Sequence, residues 1–150
     1  MSTVRDVDES TTDPRVQAVY RDIMETKKID RVPNLWRALA TNPEHLELVW
    51  SRLKAIMKPG KLDMLTKEII ALAVSATNGC AYCINSHTAA VQKLGLDEEG
   101  LGEVMAVVGL FNTTNTLAEA YQVEPDILPV AVRERQLKAA KPVKKTPKKR

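Results

Sequence analysis

Cysteine, glycine and aromatic side chains are scarce in this chain, at two, six and six of 150 residues. So few cysteines exclude a small fold stapled by disulfides, and none is needed, because a domain of this length can bury roughly 70% of its unfolded surface. The shortage of glycine and aromatics argues against a sandwich or barrel, where β-branched and aromatic residues concentrate. Long apolar runs are missing too. The stretches 69–74 and 104–111 fall far short of the ~20 residues that span a bilayer, so no membrane association is expected. The first ten residues contain no apolar stretch and carry acids, unlike a secretory signal, and a cytoplasmic location is the expectation. In a reducing compartment paired cysteines point to a metal or to redox chemistry rather than to a structural bridge.

Acidic residues are also absent from the end of the chain. All 19 lie between Asp6 and Glu134, while residues 138–150 hold seven of the 22 basic groups. The formal charge of +3 therefore hides a body that is net −4 over residues 1–137 and a strongly basic tail. With two prolines and almost no apolar content, residues 141–150 are expected to be disordered, because burial cannot offset the entropy of ordering them. The expected organisation is one all-α domain over residues 1–132, with a basic tail over 133–150. The tail lacks interleaved aromatics and an associated binding fold, so non-specific electrostatics accounts for it and nucleic acid is not an expected partner.

Apolar residues, at 44%, are arranged with helical period. Asp13-Pro14 caps and opens a helix to about Lys28, with Val16, Val19, Tyr20, Ile23 and Met24 on one stripe. A shorter helix follows Val32-Pro33. Thr41 and Glu44 fit a capping box for a third helix, which stops at Pro59-Gly60. Asp63 or Thr66 opens a fourth, ending at Thr77-Asn78-Gly79. A fifth runs from about Cys80 to Leu94. Asp97 caps the last, Glu98 to Tyr121, which Gly100, Gly102 and Gly109 are expected to bend or break. No segment has strand periodicity.

Both cysteines, Cys80 and Cys83, fall at the start of the fifth helix, where unpaired N–H groups and the helix dipole favour thiolate over thiol. His87 lies four and seven residues further on, within about 60° of the same helix face. Imidazole is the side chain best suited to proton transfer near neutral pH. Glu68 sits on the preceding helix in an otherwise apolar stretch and can orient that imidazole if the turn at 77–79 folds the two helices together. Other readings compete. Two buried hydrophobes, or a zinc site built from Cys80, Cys83 and His87 with Glu68 or His45, use the same residues. Covalent haem is disfavoured because Ile84 stands where Cys-x-x-Cys-His needs its histidine. His45, between Glu44 and Glu47, reads as a solvated residue, Glu68 can alternatively pair with Lys67 or Lys61, and Trp36, Trp50 and Phe111 read as core or interface.

Glu, eleven residues, Cys-x-x-Cys, three residues and His resembles the signature of the AhpD-like alkylhydroperoxidases of the carboxymuconolactone decarboxylase superfamily. Leu65-Thr-Lys-Glu68-Ile-Ile-Ala-Leu-Ala-Val74, Leu110-Phe-Asn112, Asn115 and Leu117-Ala118 extend the similarity, which covers about residues 32–126. The resemblance implies an all-helical protomer forming a homotrimer or hexamer. It implies an alkylhydroperoxidase, a peroxiredoxin-type oxidoreductase whose hydroperoxide substrate is reduced by the cysteine pair, with Glu68 and His87 at the proton-relay positions. Electrons would come from an external dithiol, either a lipoyl carrier or a thioredoxin-like protein, with no bound flavin, metal or other cofactor. Tyr82 departs from members that carry a histidine between the cysteines. A decarboxylase-type lyase and a non-enzymatic redox-responsive binding protein are the alternatives.

Overall fold

The computed structural model describes residues 2–131 and contains six helices and no strand among them. They are α1 (Pro14–Lys27), α2 (Asn34–Leu39), α3 (Pro43–Met57), α4 (Met64–Thr77), α5 (Ala81–Lys93) and α6 (Glu98–Ala120). The expected all-α class is therefore observed. Backbone packing separates two compact units, one ending at Leu101 and one beginning at Gly102. The expected division between residues 132 and 133, and the basic tail beyond it, lie outside the described residues.

Helix boundaries follow local chemistry. Asp13 caps α1 by accepting from the N–H groups of Arg15 and Val16, and Pro14 occupies the first turn, where its missing N–H costs nothing. The cap of α3 is one residue later than expected. Asn42, not Thr41, accepts from the His45 N–H, while the Thr41 hydroxyl turns back to the Ala38 carbonyl. Pro43 explains the shift: its fixed φ suits the first helical position, which makes the preceding residue the cap. Lys58, held extended before Pro59, ends α3. Asp63 rather than Thr66 caps α4, accepting from the Thr66 N–H at 2.7 Å.

The three glycines of α6 neither bend it out of helical geometry nor break it. At Gly100 a Cβ would stand 2.7 Å from Leu96 Cδ1, so glycine there leaves room for the leucine folded over the helix start. α6 buries none of its residues, and Val107, Leu110, Phe111 and Leu117 remain exposed.

In the first unit, α1, α2 and α3 enclose a core of Val16, Val19, Tyr20, Ile23, Val32, Trp36, Ala40, Leu46 and Trp50. Trp36 and Trp50 meet edge to face with centroids 5.1 Å apart. An N-terminal strap closes this core: Val7 N–H donates to the Arg37 carbonyl, and the Tyr20 hydroxyl donates to the Val7 carbonyl at 3.0 Å. Burial pushes the Tyr20 phenol up to about 12, so it stays a proton donor at any physiological pH.

α4 and α5 form a hairpin. Its reversal uses Gly79 at φ +67°, a conformation that costs glycine little and other residues much. The Cys80 N–H returns to the Ser75 carbonyl at 3.0 Å, closing the end of α4. Leu72 and Val91 are fully buried, each a gain of about 1.5–3 kcal/mol by area. Lys67 ties the hairpin to the first three helices by donating to the Ile56 and Lys58 carbonyls, both at 2.6 Å, at the end of α3. No helix among the described residues is long and apolar enough to cross a membrane.

Candidate active site

Two faces bring the chemistry together. On α4, Glu68, Leu72 and Ser75 recur at offsets of four and three residues; on α5, Cys83, His87 and Val91 recur at intervals of four. These are the spacings that share a helix face. Leu72 and Val91 are the buried members, so the packing that hides them also turns Glu68 and His87 toward each other. The Glu68 Oε2–His87 Nδ1 distance is 2.7 Å. The His87 and Glu68 side chains retain 29% and 15% of their exposure, enough for solvent or a small molecule to reach the imidazole. With Nδ1 engaged by the carboxylate, Nε2 makes no hydrogen bond to a described residue, so the neutral imidazole bonded this way presents Nε2 as an acceptor.

Cys80 and Cys83 are joined by a disulfide, with Cα atoms 5.3 Å apart. Cys80 is itself the N-cap of α5, and its sulfur accepts from the Cys83 N–H at 3.3 Å. A thiolate at this place would face the unpaired N–H groups of a helix start, the arrangement that lowers a thiol pKa. His87 stands one turn after Cys83 on the same helix.

The remaining candidates are placed elsewhere. His45 is exposed in the first turn of α3, and its backbone N–H serves the Asn42 cap. Trp36 and Trp50 are core, whereas Phe111 is exposed on α6. Lys67 does not pair with Glu68, because its ammonium is occupied by the carbonyls at the end of α3. Among the described residues no group of three or more His, Cys, Asp or Glu side chains is arranged to hold a metal ion. Two contributors lie beyond the residues that the spacing singles out. Ser75 supplies the carbonyl that fixes the Cys80 N–H, for which no sequence signal exists. Tyr82 accepts a hydrogen bond from the Leu35 N–H at 3.3 Å, and its place between the two cysteines is the available pointer.

Comparison with known proteins places the chain among relatives. The carboxymuconolactone decarboxylase family model matches residues 43–123, more than half of the chain. The alkyl hydroperoxide reductase AhpD of Solibacter usitatus is 36% identical over 92 residues, covering 61% of this chain and 50% of that protein. The AhpD of Maricaulis maris is 37% identical over 87 residues, covering 57% and 48%. The chain thus spans about half the length of the curated relatives it matches. The crystal structure of the alkylhydroperoxidase AhpD core from Rhodospirillum rubrum superimposes with a TM-score of 0.80 at 45% identity, covering 84% of this chain and 95% of that one. The helical fold, the matched span and these relatives together establish that the chain belongs to the carboxymuconolactone decarboxylase family and is AhpD-like within it.

Proposed function

We propose that the protein is a dithiol peroxidase that reduces alkyl hydroperoxides or hydrogen peroxide and is recycled by an external dithiol. The observation that carries this reading is the 2.7 Å contact between Glu68 and His87 on the hairpin that holds the Cys80–Cys83 disulfide. A base oriented by a carboxylate, one turn from a thiol at a helix start, is a device for making thiolate at neutral pH.

In the cycle, His87 Nε2 takes the proton of Cys83, while Glu68 holds the ring and stabilises its charged form. The Cys83 thiolate attacks the peroxide O–O bond, forming an S–O bond and expelling alkoxide, which recovers the proton from His87 and leaves as alcohol. Cys80 then attacks the sulfenic acid at Cys83, forming the disulfide and releasing water. An incoming dithiol opens the disulfide by exchange at Cys80, supplying two electrons and two protons and leaving as its own disulfide. Hydroperoxide and dithiol become alcohol, water and disulfide, and no cofactor is required. A lipoyl group on a carrier protein or a thioredoxin-like protein fits as the reductant.

The exposed apolar residues of α6, and Ile70 and Val74 on α4, support self-association, since a monomer rarely leaves so many large hydrophobics in water, and a homotrimer or a multiple of it is the assembly that the family resemblance implies. Light scattering in solution checks that mass.

The deciding experiment is rapid mixing of the reduced chain with a hydroperoxide, with lipoyl and thioredoxin-type reductants compared in turnover. Two thiols should be lost per chain, with Cys80→Ser giving one trapped sulfenic acid and Cys83→Ser giving none. Thiols indifferent to peroxide, or stoichiometric zinc on the purified chain, would overturn the proposal. Consumption of an aromatic lactone acid instead would favour the lyase alternative.

A further inference from the structure

The α2 helix begins without a cap of its own. Its N-cap is Pro33, which offers no side-chain acceptor; the Pro33 carbonyl takes the Trp36 N–H at 2.9 Å, and the N–H groups of Asn34 and Leu35 must find partners elsewhere. One is supplied from another element: the Leu35 N–H donates to the phenol oxygen of Tyr82 at 3.3 Å. Tyr82 is the second residue of α5, between Cys80 at the cap and Cys83. The side chain that caps α2 therefore grows out of the tight loop that the disulfide closes.

We infer that Tyr82 is a positioning residue for the cysteine pair, coupling the dithiol–disulfide equilibrium to the capping of α2. The inference rests on the redox reading of that pair. The coupling follows from the size of the loop. Bonded sulfurs lie about 2 Å apart, whereas two thiols must separate to van der Waals distance, roughly 3.5 Å or more. In so short a turn that separation is shared between the χ1 torsions of the two cysteines and the backbone of Ala81 and Tyr82 between them. The phenol is at the far end of the longest side chain among them, where a small backbone rotation becomes a large displacement.

The disulfide form is thus the one in which α2 is capped, and opening the disulfide releases the Leu35 N–H to water. By linkage, a contact made in only one of two states biases the equilibrium toward that state, and the bias works in both directions. Tyr82 favours the disulfide, and the dithiol form loosens the start of α2. Tyr82 and Leu35 are each 43% exposed, so an approaching reductant would meet this pair beside the disulfide. Phenylalanine retains the ring and its packing and removes only the acceptor.

The test equilibrates the full-length chain with mixtures of reduced and oxidised dithiothreitol and counts free thiols by alkylation. The exchange is balanced, because the protein disulfide gains two electrons and two protons as dithiothreitol loses them. Tyr82→Phe should shift the equilibrium constant about threefold toward the dithiol, the size expected for one exposed neutral hydrogen bond. Amide hydrogen exchange at Leu35 should be slower in the oxidised than in the reduced wild-type chain. In Tyr82→Phe the two redox states should exchange alike at that amide. An equilibrium constant unchanged by Tyr82→Phe, or a Leu35 amide equally protected in both wild-type states, would overturn the inference. Failure of the redox reading itself is visible separately, as a wild-type disulfide that dithiothreitol does not open.

Discussion

The first three helices bury nine residues in one cluster around an edge-on pair of tryptophans, while the α4–α5 hairpin beside them fully buries little more than Leu72 and Val91. The first region is apolar inside, closed by an N-terminal strap and laced by ion pairs such as Arg15–Glu47 and Lys54–Asp22. The hairpin instead devotes the faces that meet to a carboxylate, an imidazole and a disulfide, and leaves Ile70 and Val74 in water. The proposed function gives the contrast a physical cause. A proton relay needs polar groups within reach of solvent and substrate, and such groups contribute little hydrophobic stabilisation. Apolar burial is concentrated in the first three helices, and the groups proposed to react are tied to that scaffold by the Lys67 clasp and the Tyr82 contact.

If that division holds, substitutions in the two regions should separate cleanly between activity and stability. The largest effect is expected for Cys83→Ser, which should lower peroxide turnover at least ~10³-fold, as loss of a nucleophile does. Its urea midpoint should stay near that of the reduced wild-type chain; a midpoint shift as large as that of a core deletion would break the comparison. Trp50→Ala is the converse. The indole is 2% exposed and donates to Asp22 at 2.8 Å, so its removal should cost about 3–5 kcal/mol in urea unfolding. Turnover per folded molecule should be unchanged, and a matching loss of turnover in the folded fraction would show that the core tunes the site.

Glu68→Gln sharpens the picture within the hairpin. It should slow peroxide reduction by about 10–100-fold, the usual cost of losing the carboxylate that orients a histidine. The pH at which the reactive thiol alkylates should rise, as it should in His87→Gln. An unchanged alkylation profile in both variants would remove the pair from the mechanism.

The smallest effect belongs to Asp22, whose carboxyl is held below the ordinary carboxylate range by hydrogen bonds from Lys54 and then from Trp50. A carboxyl depressed on folding adds stability above its unfolded value of 3.8 and loses it as the pH falls through the folded value. Asp22→Asn should therefore destabilise the chain near neutrality, by well under about 1 kcal/mol because the pair is partly exposed, and hardly at all once the carboxyl is protonated in acid. Unfolding curves of both proteins, followed from neutral pH down into acid, check the sign. A difference that grows on acidification would contradict it.

Many of the helix ends are legible in the sequence. Asp13-Pro14, Pro59-Gly60 and Thr77-Asn78-Gly79 bound helices because caps, proline and glycine act within a turn of where they stand. Thr41 misleads because two adjacent residues, Thr41 and Asn42, can both cap, and only the proline that follows selects between them. The α6 glycines mislead in the other direction: propensity lowers helix stability without forbidding it, and at Gly100 a Cβ would crowd the Leu96 side chain. The pairing of Glu68 with His87 is conditional on a turn whose direction no local signal specifies.

By itself the sequence determined the helical class, the ends of most helices, the placement of Cys80 and Cys83 at a helix start, and the shared face of Cys83 and His87. These depend on periodicity and on interactions spanning at most a few residues. Tertiary structure alone decided that Glu68 meets His87, that Lys67 turns away to clasp the end of α3, and that Tyr82 caps a helix 47 residues earlier. The first of those contacts depends on how Leu72 and Val91 pack and how Gly79 turns the chain. Such geometry is set by burial summed over the hairpin and is carried by no single stretch of residues.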